Sequence, residues 1–262
     1  RCDNKLGSIY TRVGQMYSHG NVALSRVSGD NKLTVNLGSH LNHKRKVWDE
    51  ETGEFTYRLG DDEYRYEYSQ RQREWGDQYS GGVAWLNGKP GNYMFQISAD
   101  YSFYNNKMGR DRVIDFALND LKSPRSGVAG NDVTTMNPTV DVYFEKTLSE
   151  ASTLMADVTA TSYSNDQSAF TSEPGFFEDI LDLNTRKNSV IGELLYSYAK
   201  ENRTFSAGYR GSFGSLRSDL SGGSVTNVRT GRQRLYGEYS SSHGPFSYRV
   251  SLGAENNMKA GD

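Results

Sequence analysis

Residues 92–104, NYMFQISADYSFY, alternate strictly: Tyr93, Phe95, Ile97, Ala99, Tyr101 and Phe103 are separated by Asn92, Met94, Gln96, Ser98, Asp100 and Ser102. A period of two gives a β-strand one greasy face and one wet face. Strands of soluble domains run to about 5–6 residues, whereas a tilted strand crossing a bilayer needs about 9–11. This segment is long enough to span, and its pattern recurs roughly ten times along the chain.

The recurrences pair into hairpins. Residues 21–27 and 32–41 flank SGDN at 28–31, with Leu33, Val35, Leu37 and Leu41 in phase. Residues 79–86 meet the 92–104 strand across NGKPG, where Asn, Gly and Pro supply turn geometry. Val140, Val142 and Phe144 face Leu154, Ala156, Val158 and Ala160 across LSEAS at 148–152. Residues 189–198 pair with 204–213 across AKENR, and 232–240 with 246–255 across SSHGP. The expectation is an all-β, antiparallel transmembrane β-barrel of about ten strands in five hairpins, forming a single domain over 1–262. Four long connections, 42–78, 105–137, 164–187 and 214–231, read as outer loops opposite the short turns.

Composition narrows the classes. With 30 Lys+Arg against 32 Asp+Glu, the net charge of −2 gives no electrostatic case for nucleic acid as a partner. A mean hydropathy of −0.74 and the lack of a long apolar run argue against a spanning helix. Neither disfavours a barrel, whose strands expose apolar residues at every second position. The 18 Tyr and 27 Gly suit interfacial girdles and strand bends. Cys2 is the single cysteine, so an intramolecular disulfide and a cysteine zinc cluster are both excluded. The start shows no secretory leader, which predicts that one has been removed or that the chain is an internal piece.

Polar residues interleaved with the apolar ones predict a lumen-facing set: Asp100, Asp141, Glu145, Asp157, Glu193, Arg210, Arg249 and Glu255. The segment 61–75, DDEYRYEYSQRQREW, follows Trp48 and Tyr57 and marks Trp48, Tyr64, Tyr66, Tyr68 and Trp75 as candidate ligand contacts, since rings and arginines stack on flat ligands. The same tyrosines also fit a simple strand extension or an aromatic girdle. Asp61, Asp62 and Glu63 lack the spacing of a calcium loop. His19, His40, His43 and His243 lack a zinc pattern, and Gly208, Gly211 and Gly214 lack the context of a dinucleotide site. Residues 176–181 and 113–121 have helical spacing and read as loop helices. No cofactor and no metal are implied. Ser39, His40 and His43 are raw material for hydrolysis without a spacing that demonstrates it, so the chain is not expected to be an enzyme.

The strand grammar, with residues 23–38 (ALSRVSGDNKLTVNLG), 143–164 (YFEKTLSEASTLMADVTATSYS) and 237–255 (GEYSSSHGPFSYRVSLGAE), resembles the barrel of TonB-dependent receptor-like outer-membrane proteins of the Bacteroidetes type. The resemblance implies a 22-stranded barrel of which this chain is part, with outer-membrane lipid, a plug domain, an energy-coupling protein and a surface lipoprotein as partners. It implies uptake of a nutrient. The alternative from the residues alone is a self-contained small barrel acting as an adhesin or surface hydrolase.

Overall fold

An alternating segment can satisfy its backbone hydrogen bonds only by laddering with neighbours. The computed structural model carries that ladder across twelve strands, and it describes residues 3–42, 48–118, 121–175, 177–223, 225–243 and 245–261. The strands are β1 (Asn4–Val13), β2 (Tyr17–Ser28), β3 (Asn31–Asn42), β4 (Asp49–Leu59), β5 (Asp62–Lys89) and β6 (Tyr93–Leu118). They continue as β7 (Leu121–Ser149), β8 (Ser152–Glu173), β9 (Phe177–Lys200), β10 (Arg203–Leu220), β11 (Val225–His243) and β12 (Phe246–Gly261). All pair antiparallel in chain order within one sheet, except that β3 skips to β5 and β4 pairs with β5 alone. One edge of β5 is thus shared end to end: β3 pairs with residues 76–87 and β4 with residues 62–72.

Three expectations are corrected. There are twelve strands among the described residues, not ten, because β1 and β4 escaped the alternation test. Among the described residues the four long connections are mostly strand rather than loop, since β5, β6 and β7 run 28, 26 and 29 residues and β8, β9, β10 and β11 run 22, 24, 18 and 19. The helical readings fail as well: residues 113–118 lie in β6 and 177–181 in β9. An extended ladder partner overrides a short local periodicity, because each added pair satisfies two backbone groups that a lone helical turn leaves open. Cys2, His43 and Phe176 lie outside the described residues.

Register aligns the faces. On one face Leu24, Val35, Val83, Ala99, Val140, Ala160, Val190 and Phe213 form a continuous apolar row through eight successive strands. On the other, Gln96, Tyr143, Asp157, Glu193, Arg210, Arg234 and Glu255 form a polar row through seven. A one-residue slip anywhere would exchange the two faces, so burial of one of them pins the register.

The apolar face is the more exposed one. Val83, Val158 and Val190 are 45%, 44% and 46% exposed, whereas Asp141, Asp157 and Glu193 on the polar face are half-buried. In a twisted, curving sheet the crowded side is concave, so the polar face here is the inner one. Among the described residues Ile114 is the one buried hydrophobic side chain, and nothing resembles the packed interior of a soluble domain. From Tyr93 to Phe103 the apolar band covers ten rises of about 3.3 Å, which at a tilt of about 40° is roughly 25 Å of depth. No helix of the described residues is long and apolar enough to cross a membrane, a fact that says nothing against crossing with strands.

Candidate functional site

Beyond the apolar band β4, β5 and β6 keep pairing, and they carry the aromatic and cationic residues with them. Successive β5 residues point to opposite faces. Tyr64, Tyr66 and Tyr68 therefore share the polar face, whereas Arg71, Arg73 and Trp75 share the face of Val83. The five candidate ligand contacts do not form one site; they divide between the two faces.

On the polar face β4 sets Phe55 opposite Tyr66 and Tyr57 opposite Tyr64. The rings stack at 4.7 Å and 4.9 Å between centroids, in the offset range that adds attraction beyond buried area. Arg112 of β6 lies over Tyr66 and Tyr68, its guanidinium carbon 5.5 Å and 5.1 Å from the two ring centres. Tyr68 donates its phenol hydrogen to Glu51 at 3.0 Å, and Gln70 Nε2 donates to the other oxygen of that carboxylate at 2.6 Å. The hydrogen bond to Glu51 holds the Tyr68 phenol above its usual range, with desolvation adding in the same direction. Gly53 faces Tyr68 across the ladder, and a Cβ there would stand 2.4 Å from the ring, so the ring lies flat over the glycine. Arg110 sits one step nearer the band and donates to Gln72 at 3.1 Å. The buried Nε atoms of Arg110 and Arg112 have no acceptor among the described residues.

On the opposite face Arg71 and Arg73 each approach Trp48 at 4.7 Å, and Arg73 also approaches Trp75 at 5.4 Å. Arg71 pairs with Asp111 at 2.9 Å. Its guanidinium is therefore neutralised and stacked, which leaves a stiff exposed ornament on the strand extension rather than a pocket.

The register brings Asp100, Asp141, Glu145, Asp157, Glu193, Arg210, Arg249 and Glu255 onto one face, the polar one. Thr159 donates to Asp141 at 2.8 Å, and Tyr143 donates to Glu145 at 2.5 Å. Tyr236 crosses above Gly208 to donate to Glu193 at 2.6 Å. Glu255 pairs with Arg232 at 2.7 Å and Arg249 with Glu238 at 3.3 Å. The wall is hydrogen-bonded sideways and mixed in charge.

Other candidates scatter. Glu63 pairs with Arg58 at 2.6 Å beside the β4–β5 turn. His19 and His40 face each other across β2 and β3 at 6.0 Å, next to Tyr10 and Tyr17, whereas Ser39 points to the other face, so Ser39 and His40 cannot act together. Among the described residues no three His, Cys, Asp or Glu side chains are grouped to hold a metal ion. Sequence reasoning missed Glu51, Phe55, Arg110 and Arg112. Their signal was the spacing of two in ETGEFTY (51–57) and GRDRV (109–113), which matters only once β4 and β6 are known to flank β5.

No family model matches the chain, and no curated protein does. Among solved structures it is similar to the ferric citrate transporter FecA in its unliganded form, with 8% identity and a TM-score of 0.41, over 91% of this chain and 42% of that one. The beta domain of the Bordetella autotransporter BrkA matches at 9% identity and a TM-score of 0.30, over 98% and 95% of the two chains. BauA, the ferric preacinetobactin receptor from Acinetobacter baumannii, matches at 9% and 0.29, over 91% and 47%. The chain thus spans less than half the length of FecA and of BauA. At such scores the likeness carries no inference of its own. An all-β sheet with an apolar outer face of bilayer height fits an outer-membrane location on its own residues.

Proposed function

We propose that the chain is part of an outer-membrane receptor barrel, its apolar face against lipid and its polar face lining the lumen. The observation that supports this most is the inversion of polarity: the sheltered face carries the charges and the exposed face carries the valines. The resemblance to TonB-dependent receptor-like proteins of the Bacteroidetes type adds energised nutrient uptake, with a plug domain seated on the mixed-charge wall and a surface lipoprotein beside it. At the outward end, the Arg110, Arg112, Tyr66 and Tyr68 group contacts the incoming ligand. Arg112 over the rings of Tyr66 and Tyr68, with Arg110 next along the same face, suits a flat, anionic ligand.

Single cysteines test the orientation. Asp157→Cys is expected to react with a water-soluble maleimide in membranes, and Val158→Cys is expected to be protected. Equal labelling of both would reject the barrel reading. Uptake that persists without the energy-coupling protein would reject energised transport while leaving the barrel intact.

A further inference from the structure

A second constellation lies on the lipid-facing side, where β8 to β11 leave the apolar band. In the row Val140, Ala160, Val190, Phe213, Gly231, the methyl of Ala160 and the bare backbone of Gly231 interrupt bulky side chains. The result is a groove of about 640 Å³ floored by Val140, Ala160, Val190 and Phe213, walled by Pro138, and with Arg229 at its upper lip. Directly above, Arg186 of β9 stands opposite Arg217 of β10 on the same face. Like charges directly opposite each other in a ladder repel. Among the described residues Arg186 and Arg229 form no ion pair, and Arg217 has one carboxylate within reach, that of Asp219 at 3.8 Å. All three arginines are exposed. One step further out, Asp166, Asn184 and Asp219 form a mostly acidic row, with Asn184 donating to Asp166.

We infer that this face holds a phosphorylated glycolipid of the outward leaflet, with one acyl chain in the groove and its phosphate between Arg186, Arg217 and Arg229. This rests on the proposal that the sheet spans the outer membrane. The chemistry is complementary at each level. The groove is apolar where acyl chains lie. The arginines stand up to four residues beyond Val190, roughly 13 Å along the strand and about 10 Å in depth at a tilt of about 40°, where head-group phosphates begin. A phosphate there converts arginine repulsion into charge-assisted hydrogen bonds. The acidic row repels the same phosphate and confines it to this height. The level is outward because the strands extend furthest beyond the apolar band on that side.

The test uses the full protein in mild detergent and in phosphatidylcholine vesicles, probed by native mass spectrometry with a diphosphorylated glycolipid, its dephosphorylated form and phosphatidylcholine. One copy of the phosphorylated lipid is expected to remain bound to the wild type. Each arginine near a charged head group contributes about fivefold in affinity, so Arg186→Gln/Arg217→Gln/Arg229→Gln is expected to lose on the order of a hundredfold. Arg186→Gln alone keeps the idea testable if the triple variant does not assemble: in pure phosphatidylcholine it is expected to be no less stable than wild type, because it relieves the repulsion, and to lose only the stabilisation added by the phosphorylated lipid. Equal retention of the dephosphorylated lipid, or undiminished binding by the variants, overturns the site. A protein partner released by the variants in place of lipid also overturns it. Protease protection is read separately: wild type that fails to insert overturns the membrane reading, whereas wild type that inserts without retaining the lipid overturns this inference alone.

Discussion

Val158 and Thr159 are adjacent in β8 and point to opposite faces, which makes them a controlled pair. Val158 pairs with Val142 and, one strand further, with Ile97, at mid-height of the apolar band. It is 44% exposed in the protein's own structure. In water an arginine at so open a position would change stability by no more than about 0.5 kcal/mol. In a bilayer the same substitution places a guanidinium near the midplane, which costs about 2–4 kcal/mol in transmembrane barrels. Thr159→Arg is the control: it projects toward Asp141, 2.8 Å from the native hydroxyl, and Asp157 lies two residues along the same strand on the same face. A cation there gains partners, and its net effect is expected to stay within about 1 kcal/mol. Reversible guanidinium unfolding from phospholipid vesicles, followed by tryptophan fluorescence, measures both. A Val158→Arg midpoint equal to wild type, or a Thr159→Arg penalty as large as that of Val158→Arg, would refute the assignment of faces.

The glycines offer a contrast in what must yield. At Gly76 an added Cβ would stand 2.1 Å from the backbone oxygen of Asn105, so Gly76→Ala is expected to cost about 1–3 kcal/mol in the same unfolding assay. At Gly208 the obstruction is the far end of Tyr236, 2.4 Å away, and Gly208→Ala is expected to cost about 1–2 kcal/mol by displacing that phenol from Glu193. Glu51→Gln removes the carboxylate that raises the Tyr68 pKa, so carbon-13 spectra of labelled tyrosine should show its phenol titrating at lower pH. With its pKa raised in the folded state, Tyr68 contributes stability below the ordinary tyrosine range that disappears as the pH climbs through the raised value. Glu51→Gln should shrink that alkaline loss. Arg110→Gln/Arg112→Gln should weaken ligand uptake at least tenfold with the fold intact by circular dichroism.

Alternation was legible wherever lipid enforces contrast. In Tyr93–Phe103 and in 204–213 one face must be apolar and the other need not be, so the period of two is visible in single residues. Outside the band both faces meet water and the contrast vanishes: residues 164–172, SNDQSAFTS, extend β8 without an apolar stripe and read as a loop. β1 was missed because Leu6, Tyr10, Ile9 and Val13 fall on both faces, and its register becomes clear only beside β2. The tyrosines of β5 were visible as a recognition surface, but their division from Trp75 follows from strand parity. Strand parity cannot be applied to a segment read as a loop. Arg112 entered the site through pairing with Gln70, a contact 42 positions away in sequence.

Two opposed arginine pairs, one on each face, carry the same message about what lies outside the sheet. Arg186 opposes Arg217 on the lipid side, and Arg210 opposes Arg234 on the polar side. Each pair sits in a ladder whose backbone fixes the separation, so neither can relax by sliding. On the polar side Glu193 and Glu255 flank the arginines in register, but Glu193 is engaged by Tyr236, and Glu255 is bound by Arg232. The remaining charge points inward, where an acidic surface of a plug or a passing anion would meet it. If that is its role, Arg210→Gln should loosen the interior partner and leave lipid retention unchanged, and Arg186→Gln should do the reverse. A variant that disturbed both would mean that the two pairs are coupled through the backbone they share in β10, and the faces would then not act independently.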